Sequence, residues 1–397
     1  MSQPASFVLT KNQVFWSRRS DSHEGIIQEF NLNQDGLRDP NILRVEITSD
    51  RLDAPLDSWQ FRIDQDILPT WYDAKMDKRR TRKALKKWIA AKVVVDGTIT
   101  VTDDQVYAYG FATVTAYGSA TVKAYDSTTV IAYDSVKVEA NDSATVIVYD
   151  SATVKAYDSV KVEANDSATV KAYDSAIVTA YGSATVTAHD SVTITVYDSV
   201  TVKANGSATV TAHDSVTVMA YDSTTVIAHN SVKVEALGSA IVKANDSATV
   251  KANGSATVTA YDSTTVKAHD SAIVTAYGSA IVTAYDSVTV MAYDSATVTA
   301  HDSVTITAYG SAIVKANGSA TVTVYDSVTV KAHDSVKVEA LGFATVTAYD
   351  STTIEACKQY ALVRHFAHTV PCQPTGPHAI VVIYRDKLTQ VIRDSTT

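Results

Sequence analysis

Lys123-Ala124-Tyr125-Asp126-Ser127-Thr128-Thr129-Val130 is followed directly by Ile131-Ala132-Tyr133-Asp134-Ser135-Val136-Lys137-Val138. The second octad restates the first, and the same eight-residue unit runs without a gap from Tyr107 to Ile354, 31 units over 248 residues. Self-similarity at a short fixed period makes each unit one structural rung. No rung can bury an apolar side alone, so neighbours must stack. A repeated rung also presents many equivalent surfaces and no unique pocket.

The columns of the repeat specify the rung. With Lys123 as position 1, position 8 is Val in 28 of 31 units and Ile at 194, 306 and 354; position 2 is Ala in 28 and Val at 148, 196 and 324. Position 1 varies among Thr, Lys, Glu, Ile and Met, and position 7 is Thr in 22 units, Ile in five and Lys in four. Small apolar residues alternating with variable ones are the signature of a half-buried strand. Positions 6, 8 and 2 are therefore expected to point inward and 7 and 1 outward, on a strand of about five residues such as Ala120–Ala124. Position 4 is Asp in 20 units, Gly in ten and Asn once, a set that tolerates left-handed backbone at a corner. Position 5 is Ser in 29 units, which predicts a hydroxyl bonded to backbone at each corner, and position 3 is an aromatic-rich edge column of Tyr, His, Asn and Leu.

A closed coil needs at least two such strands. Two octads give a flat coil of 16 residues and three a triangular coil of 24. The inward set is small enough for two sheets in close contact, which favours 16, although no residue identity recurs decisively at either lag. The fold class expected is all-β: a β-solenoid over residues 99–355, with a small α+β capping and partner domain at 1–98 and a short C-terminal cap at 356–397. Open ends of such a stack are exposed sheet edges, and the non-repetitive flanks are placed to cover them.

In the N-terminal flank, 41–49 and 59–64 alternate as strands, and Ala74–Ala91 reads as a helix with Ala84, Leu85, Trp88 and Ile89 on one side. Near the C-terminus, Ala379–Tyr384 reads as a buried strand after a loop from Pro371 to Pro377. Two cysteines, Cys357 and Cys372, make no disulfide framework. Met1–Asn12 lacks the basic and apolar regions of a secretory signal, and no apolar run is long enough to span a bilayer, so a cytoplasmic or particle-associated protein is expected. The net charge of −9 hides an asymmetry: the repeat holds 20 Asp and 4 Glu against 13 Lys, whereas Lys75–Lys92 holds nine Lys or Arg and one acid.

The unit Ala116-Tyr117-Gly118-Ser119, with Thr121 two places on, resembles the Ala-Gly-Tyr-Gly-Ser-Thr unit of bacterial ice-nucleation proteins, which also stack in two-octad coils. The likeness covers the repeat alone. It implies an ice- or surface-binding column of outward Thr-x-Thr pairs: Thr185 with Thr187, Thr193 with Thr195, Thr209 with Thr211, Thr297 with Thr299, and Thr305 with Thr307. The chain departs from that pattern where Lys-Val-Glu stands, at 137–139, 161–163, 233–235 and 337–339. It also resembles octapeptide-repeat β-solenoid proteins of bacteria and their phages, a likeness that implies the fold and a phage-particle association but no role.

Other columns carry weaker chemistry. The corner Asp column suggests cation binding or mimicry of a phosphate backbone, against the plain reading that Asp suits a corner. The position-3 aromatics suggest stacking on sugars or bases, against an edge ladder packed on itself. His189, His213, His229, His269, His301 and His333 replace Tyr at irregular intervals, which argues against a metal array. In the tail, His365, His368, Cys372 and His378 hint at a metal site, a spacing common by chance. The run Lys78, Arg79, Arg80, Arg82, Lys83, Lys86 and Lys87 is the candidate contact for an acidic protein, an anionic surface or nucleic acid, against a merely solvated helix face. No phosphate loop, nucleophile elbow or unique carboxylate pair stands outside the repeated positions. The expectation is a non-catalytic structural or interaction protein without a cofactor, whose partner binds through the N-terminal domain; ice binding is the alternative.

Overall fold

Each octad folds as one four-residue strand and one four-residue corner. In the computed structural model, which describes residues 3–33, 39–358, 360–366, 378–385 and 388–393, the strand Thr129–Ala132 occupies positions 7, 8, 1 and 2. It pairs in parallel with the strands 16 residues before and after it, Val130 opposite Val114 and Val146. The intervening octads form a second sheet in the same way, Val138 opposite Val122 and Val154. The fold is a mostly β solenoid of about 17 turns with about 16 residues per turn. The chain divides into two compact units, Met1–Thr179 and Ala180–Thr397, and the same geometry holds inside the second, where Val210 faces Val226 and Val218 faces Val234.

Burial follows the expected columns. Thr128, Val130 and Ala132, at positions 6, 8 and 2, are wholly buried, while positions 7 and 1 are partly or fully exposed in every octad but the first, where Tyr107 is buried. The strand is one residue shorter than the alternation suggests. The position-6 residue is inward, but its N–H turns back to the position-3 carbonyl, as Ala152 does to Tyr149 at 3.2 Å, and so leaves the strand ladder.

The corner repays a full count of its backbone donors, because a lost hydrogen bond is costly where water is excluded. Position 3 donates to position 2 of the preceding coil (Tyr125 N to Ala108 O, 2.9 Å), position 5 to position 4 (Ser127 N to Gly110 O, 3.1 Å) and position 7 to position 6 (Thr129 N to Ala112 O, 2.9 Å). Position 4 takes the left-handed conformation, with φ between +52° and +63° at every corner Asp. Its N–H points to the following coil and, where that corner is Asp, meets its carboxylate: Asp126 N donates to Asp142 Oδ2 at 3.0 Å, and Gly254 N to Asp270 Oδ2 at 2.9 Å. The Ser hydroxyls do less than expected. Some reach the preceding coil's carbonyl, as Ser295 does to Gly278 at 3.0 Å, and others pair with one another, as Ser191 and Ser207 do at 3.1 Å.

The N-terminal region is a four-stranded antiparallel sheet with two helices. Its elements are β1 (Gln3–Leu9), β2 (Val14–Phe15), α1 (His23–Glu29), β3 (Leu43–Ser49), β4 (Gln60–Ile63) and α2 (Ala74–Lys92), and the sheet order is β2-β1-β3-β4. Asp73 caps α2 by accepting from the N–H groups of Lys75 and Met76, which satisfies donors that have no partner within the helix. Its inner face carries Ala84, Leu85 and Trp88. Trp88 packs edge-on to Trp59 and against Tyr107, with ring centroids 6.4 and 5.8 Å apart. Tyr107 and Tyr109 belong to the first octad yet lie in this core with Phe7, Leu9, Val45 and Ile47. Parallel stacking already begins at Val93–Val94, which pairs with Tyr107–Ala108.

In the second unit the last strands depart from the octad. Thr353–Cys357 pairs with Lys337–Ala340 through a register shift, Leu362–His365 continues the other sheet, and Ile380–Arg385 adds to it in parallel. Leu388–Arg393, the last described strand, then pairs antiparallel with Ile380–Arg385. The loop expected at Pro371–Pro377 lies outside the described residues.

Candidate functional site

The outer face of α2 gathers the cationic residues. Lys78, Arg79, Arg82, Lys83, Lys86 and Lys87 are all exposed, as is Lys75. Spacings of three and four residues put Lys75, Arg79, Arg82, Lys83 and Lys86 on one side of a helix. That side lines a groove of about 950 Å³, with Leu56 and Asp57 contributed by the segment before β4 and Met76 standing in it. Met76 is 61% exposed, an apolar contact among cations. Arg80 also lines the groove, but it is half-buried and held in place. It donates to Asp77 Oδ1 at 2.9 Å and to the carbonyls of Thr10, Lys11 and Gln13 at 2.8 to 3.0 Å, so it fastens α2 to the β1–β2 turn. Sequence reasoning missed Leu56 and Met76; an unsheltered Met at the start of a basic helix was the available signal.

Two polar ties join this region to the first octads. Lys92 is buried, with Nζ 2.6 Å from Asp21 Oδ1 and 3.3 Å from Gln105 Oε1. Trp88 Nε1 donates to the same carboxylate at 3.2 Å, and the Tyr107 hydroxyl donates to its other oxygen. Burial pulls the Lys92 ammonium below the ordinary lysine range against the pull of Asp21, and burial beside Asp21 pushes the Tyr107 phenol well up. The second tie is Arg51, which grips Asp126 through Nη1–Oδ1 at 3.1 Å and Nη2–Oδ2 at 2.7 Å. Its guanidinium also lies over the Tyr109 ring at 4.9 Å, and its hydrogen bond holds the Asp126 carboxyl below the usual carboxylate range.

The Thr-x-Thr pairs point outward, as positions 7 and 1 of their octads. Their two members are not equally open. At position 7, Thr185, Thr193, Thr209 and Thr305 are exposed and Thr297 is half-buried. At position 1, Thr187, Thr195, Thr211, Thr299 and Thr307 are all only half-exposed. Position 1 adjoins the aromatic ladder of position 3, as the contact of Lys203 with the Tyr221 ring at 5.4 Å records, and that ladder shelters it.

The pairs also stack at most two coils deep. Thr193 and Thr195 sit beside Thr209 and Thr211, whose next neighbours are Thr225 and Ile227. Thr305 and Thr307 sit beside Thr321 and Thr323, bounded by Met291 on one side and by Lys337 and Glu339 on the other. Thr185 and Thr187 border Thr201 and Lys203. Thr297 and Thr299 lie between Ile281 with Thr283 and Ile313 with Lys315. The outward hydroxyls are therefore short patches and not a continuous plane. Some outward charges are matched along the stack, while others stack like on like, as Lys315 does beside Lys331. Glu139 lies between Lys123 and Lys155 in register, and Lys251 Nζ reaches Glu235 at 2.9 Å.

The position-3 aromatics stack on one another at one-coil intervals, as in Tyr117–Tyr133 at 5.0 Å and Tyr197–His213–His229 at 4.9 Å, with rings within about ten degrees of parallel. Face-to-face imidazoles do not converge their nitrogens, so His213 and His229 make no chelate. Position-1 lysines over the same ladder make favourable cation–π contacts, Lys243 with Tyr261 at 5.5 Å among them. His368 and Cys372, on which the tail metal set depends, lie outside the described residues; the His378 ring stacks on Tyr360 at 4.6 Å. Among the described residues no helix is long and apolar enough to cross a membrane.

In comparisons with known proteins, the chain matches no protein-family model, no curated protein and no solved structure. The class the fold defines is a two-sided β-solenoid that begins in a small α/β region, and the α2 groove is a non-repeating, charged and concave surface of that region.

Proposed function

We propose that the chain is a non-catalytic structural and interaction protein, in which the octad stack displays or spaces its ends and the N-terminal region takes the partner. The α2 groove carries this reading. It combines five cations on one helix side with the exposed Met76 and the half-buried Leu56, whereas the octad surfaces repeat and drift from coil to coil. Its partner is acidic with some apolar character: a protein segment or surface rich in Asp, Glu or phosphate. The octapeptide resemblance favours the cytoplasm or a phage particle as its location. The test uses the full chain, because Tyr107 and Tyr109 belong to the N-terminal core. Retention on immobilised polyglutamate and on duplex DNA is compared for wild type and Arg79→Glu/Lys83→Glu/Lys86→Glu. Retention on polyglutamate that weakens with salt and is lost in the triple variant supports the reading. Equal behaviour of the two proteins refutes it, and a preference for DNA makes the partner nucleic acid.

Ice binding is the second reading, supported by the outward Thr pairs on flat strands. Thermal hysteresis and droplet freezing decide it: activity that disappears when Thr193→Lys and Thr209→Lys are combined promotes it, and inactivity of the wild type removes it.

A further inference from the structure

His23, the first residue of α1, is 5% exposed. Its Nε2 lies 3.1 Å from the carbonyl oxygen of Val45. A carbonyl oxygen only accepts, so Nε2 carries the proton, and in the neutral ring Nδ1 is a bare lone pair. That lone pair faces Asp64 Oδ2 at 3.3 Å. A carboxylate oxygen of Glu46, from β3, completes a trio whose ligand atoms all lie within 4.8 Å of one another. With the ring neutral, three acceptors converge with no hydrogen-bond donor among them, so a proton on Nδ1 or a metal ion is needed to hold them together.

We propose that His23, Glu46 and Asp64 bind one divalent metal ion of the Zn²⁺ class, with water completing the coordination. Three observations favour a metal over a proton on Nδ1. A charge-assisted N–H to carboxylate bond is usually about 2.7–2.9 Å, shorter than the 3.3 Å seen here. Ligands on a tetrahedral zinc with bonds of about 2.0–2.1 Å are separated by about 3.3 Å. A proton also satisfies one contact and leaves Glu46 facing Asp64, whereas a metal takes all three. The Val45 carbonyl supplies the outer partner that typically orients a ligating imidazole and fixes its tautomer. One imidazole with two carboxylates suits Zn²⁺ and its first-row neighbours. Asp64 is 46% exposed, which gives an ion a path in. The flanking cation Arg44 is 3.9 Å from Glu24. The ion would tie α1, β3 and the end of β4 together behind the sheet.

Titration of the metal-free full chain with Zn²⁺ alone, followed by calorimetry and by the ¹⁵N resonances of the His23 ring, tests the site. The six ladder histidines serve as a common background. Wild type should bind one equivalent that Asp64→Asn binds at least about 100-fold more weakly, since loss of even an outer-shell partner costs about 10–100-fold. Zn²⁺ should also shift Nδ1 of His23 in the wild type. Asp64→Asn is the primary variant because the residue is half exposed and its loss spares the core; His23→Gln is the second. Superimposable isotherms for wild type and Asp64→Asn overturn the proposal. So does a His23 ring that titrates as an imidazolium and ignores Zn²⁺, which would make the trio a proton-held salt bridge.

Discussion

Val210 and Thr209 are chain neighbours that the fold sends to opposite sides of one strand. Val210 is wholly buried, stacked between Ile194 and Val226, while Thr209 is exposed between Thr193 and Thr225. Val210→Asp places a carboxyl where no donor waits. A carboxyl so enclosed has its pKa raised by about 3–5 units, so at neutral pH it folds protonated. Taking up that proton at pH 7, from an unfolded value near 3.9, costs about 4 kcal/mol. Lost burial of the Val side chain adds about 1.5–3 kcal/mol. The expected total is about 6 kcal/mol at pH 7, comparable with the whole stability of a typical domain. The folded pKa lies above the unfolded one, so the penalty shrinks as pH falls toward the unfolded value. At pH 4 the proton costs only about 0.5 kcal/mol and about 2–3 kcal/mol remains. Thr209→Lys puts an ammonium in water beside uncharged neighbours and should stay within about 0.5 kcal/mol of wild type.

Hydrogen exchange is the right assay, because coils held by nearest-neighbour contacts open locally before the whole stack melts. Peptides covering 193–228 should lose protection in Val210→Asp at pH 7, regain most of it at pH 4 after correction for intrinsic exchange, and stay unchanged in Thr209→Lys. Equal effects of the two substitutions, or a Val210→Asp defect independent of pH, would refute the assignment of the inward columns.

The ties at the N-terminal end make two further predictions. Lys92→Met leaves Asp21 buried beside Trp88 and Tyr107 without its cation, and should cost about 3–5 kcal/mol in urea denaturation followed by near-ultraviolet dichroism; Lys92→Met/Asp21→Asn should recover much of it. Arg51→Ala frees Asp126. The depressed Asp126 pKa means the wild type holds this stabilisation above the ordinary carboxylate value and loses it as pH falls through the lower, folded one, so wild type and variant should differ in melting temperature at pH 6 and converge at the acid end. Both groups are partly solvated, which keeps the neutral-pH difference to about 1 kcal/mol.

The repeat exposed its burial pattern in full, because columns of near-invariant Val and Ala alternate with variable positions over 31 copies. The same uniformity hid the coil size. When every octad is equivalent, no recurrence separates two per turn from three, and only the parallel register of 16 decides it. Alternation also treats both outward positions alike, so it could not separate the exposed Thr193 from the half-exposed Thr195. That difference depends on the aromatic ladder of the neighbouring coil. The flanks were legible where elements are long and periodic: α2 was expected over Ala74–Ala91 and found over Ala74–Lys92. The seven-residue α1, with Ile26 and Ile27 as its apolar contribution, is too short to show a period. Arg80 looked like its basic neighbours because nothing local records that the carbonyls of Thr10, Lys11 and Gln13 converge on it. His23, Glu46 and Asp64 are about twenty residues apart and fit no ligand spacing; only the antiparallel pairing of β3 with β4, and α1 packed against Val45, brings them together.

The corner shows how a composition can carry more information than the conformation it permits. A left-handed backbone alone admits Asn about as readily as Asp, yet the corners hold 20 Asp and one Asn. The excess follows from the donor count. Position 4 has the corner N–H that the solenoid ladder leaves to the next coil's side chain, and a carboxylate there offers the coil before it two acceptors and no donor. Asn230 is the instructive exception. Its amide Nδ2 donates to Asp214 Oδ1 at 3.2 Å, so it is accommodated by an aspartate in the coil before it. The arrangement has a cost, since carboxylates one coil apart repel by about 0.9 kcal/mol even in the dielectric of water. Glycine at ten corners interrupts the rows of charge and keeps the left-handed turn, and where an aspartate follows one coil on it still donates its own N–H, as Gly206 does to Asp222 at 3.3 Å. The mixture of Asp and Gly at position 4 is therefore what a long stack requires: aspartate to complete the ladder, and glycine to keep the like charges apart.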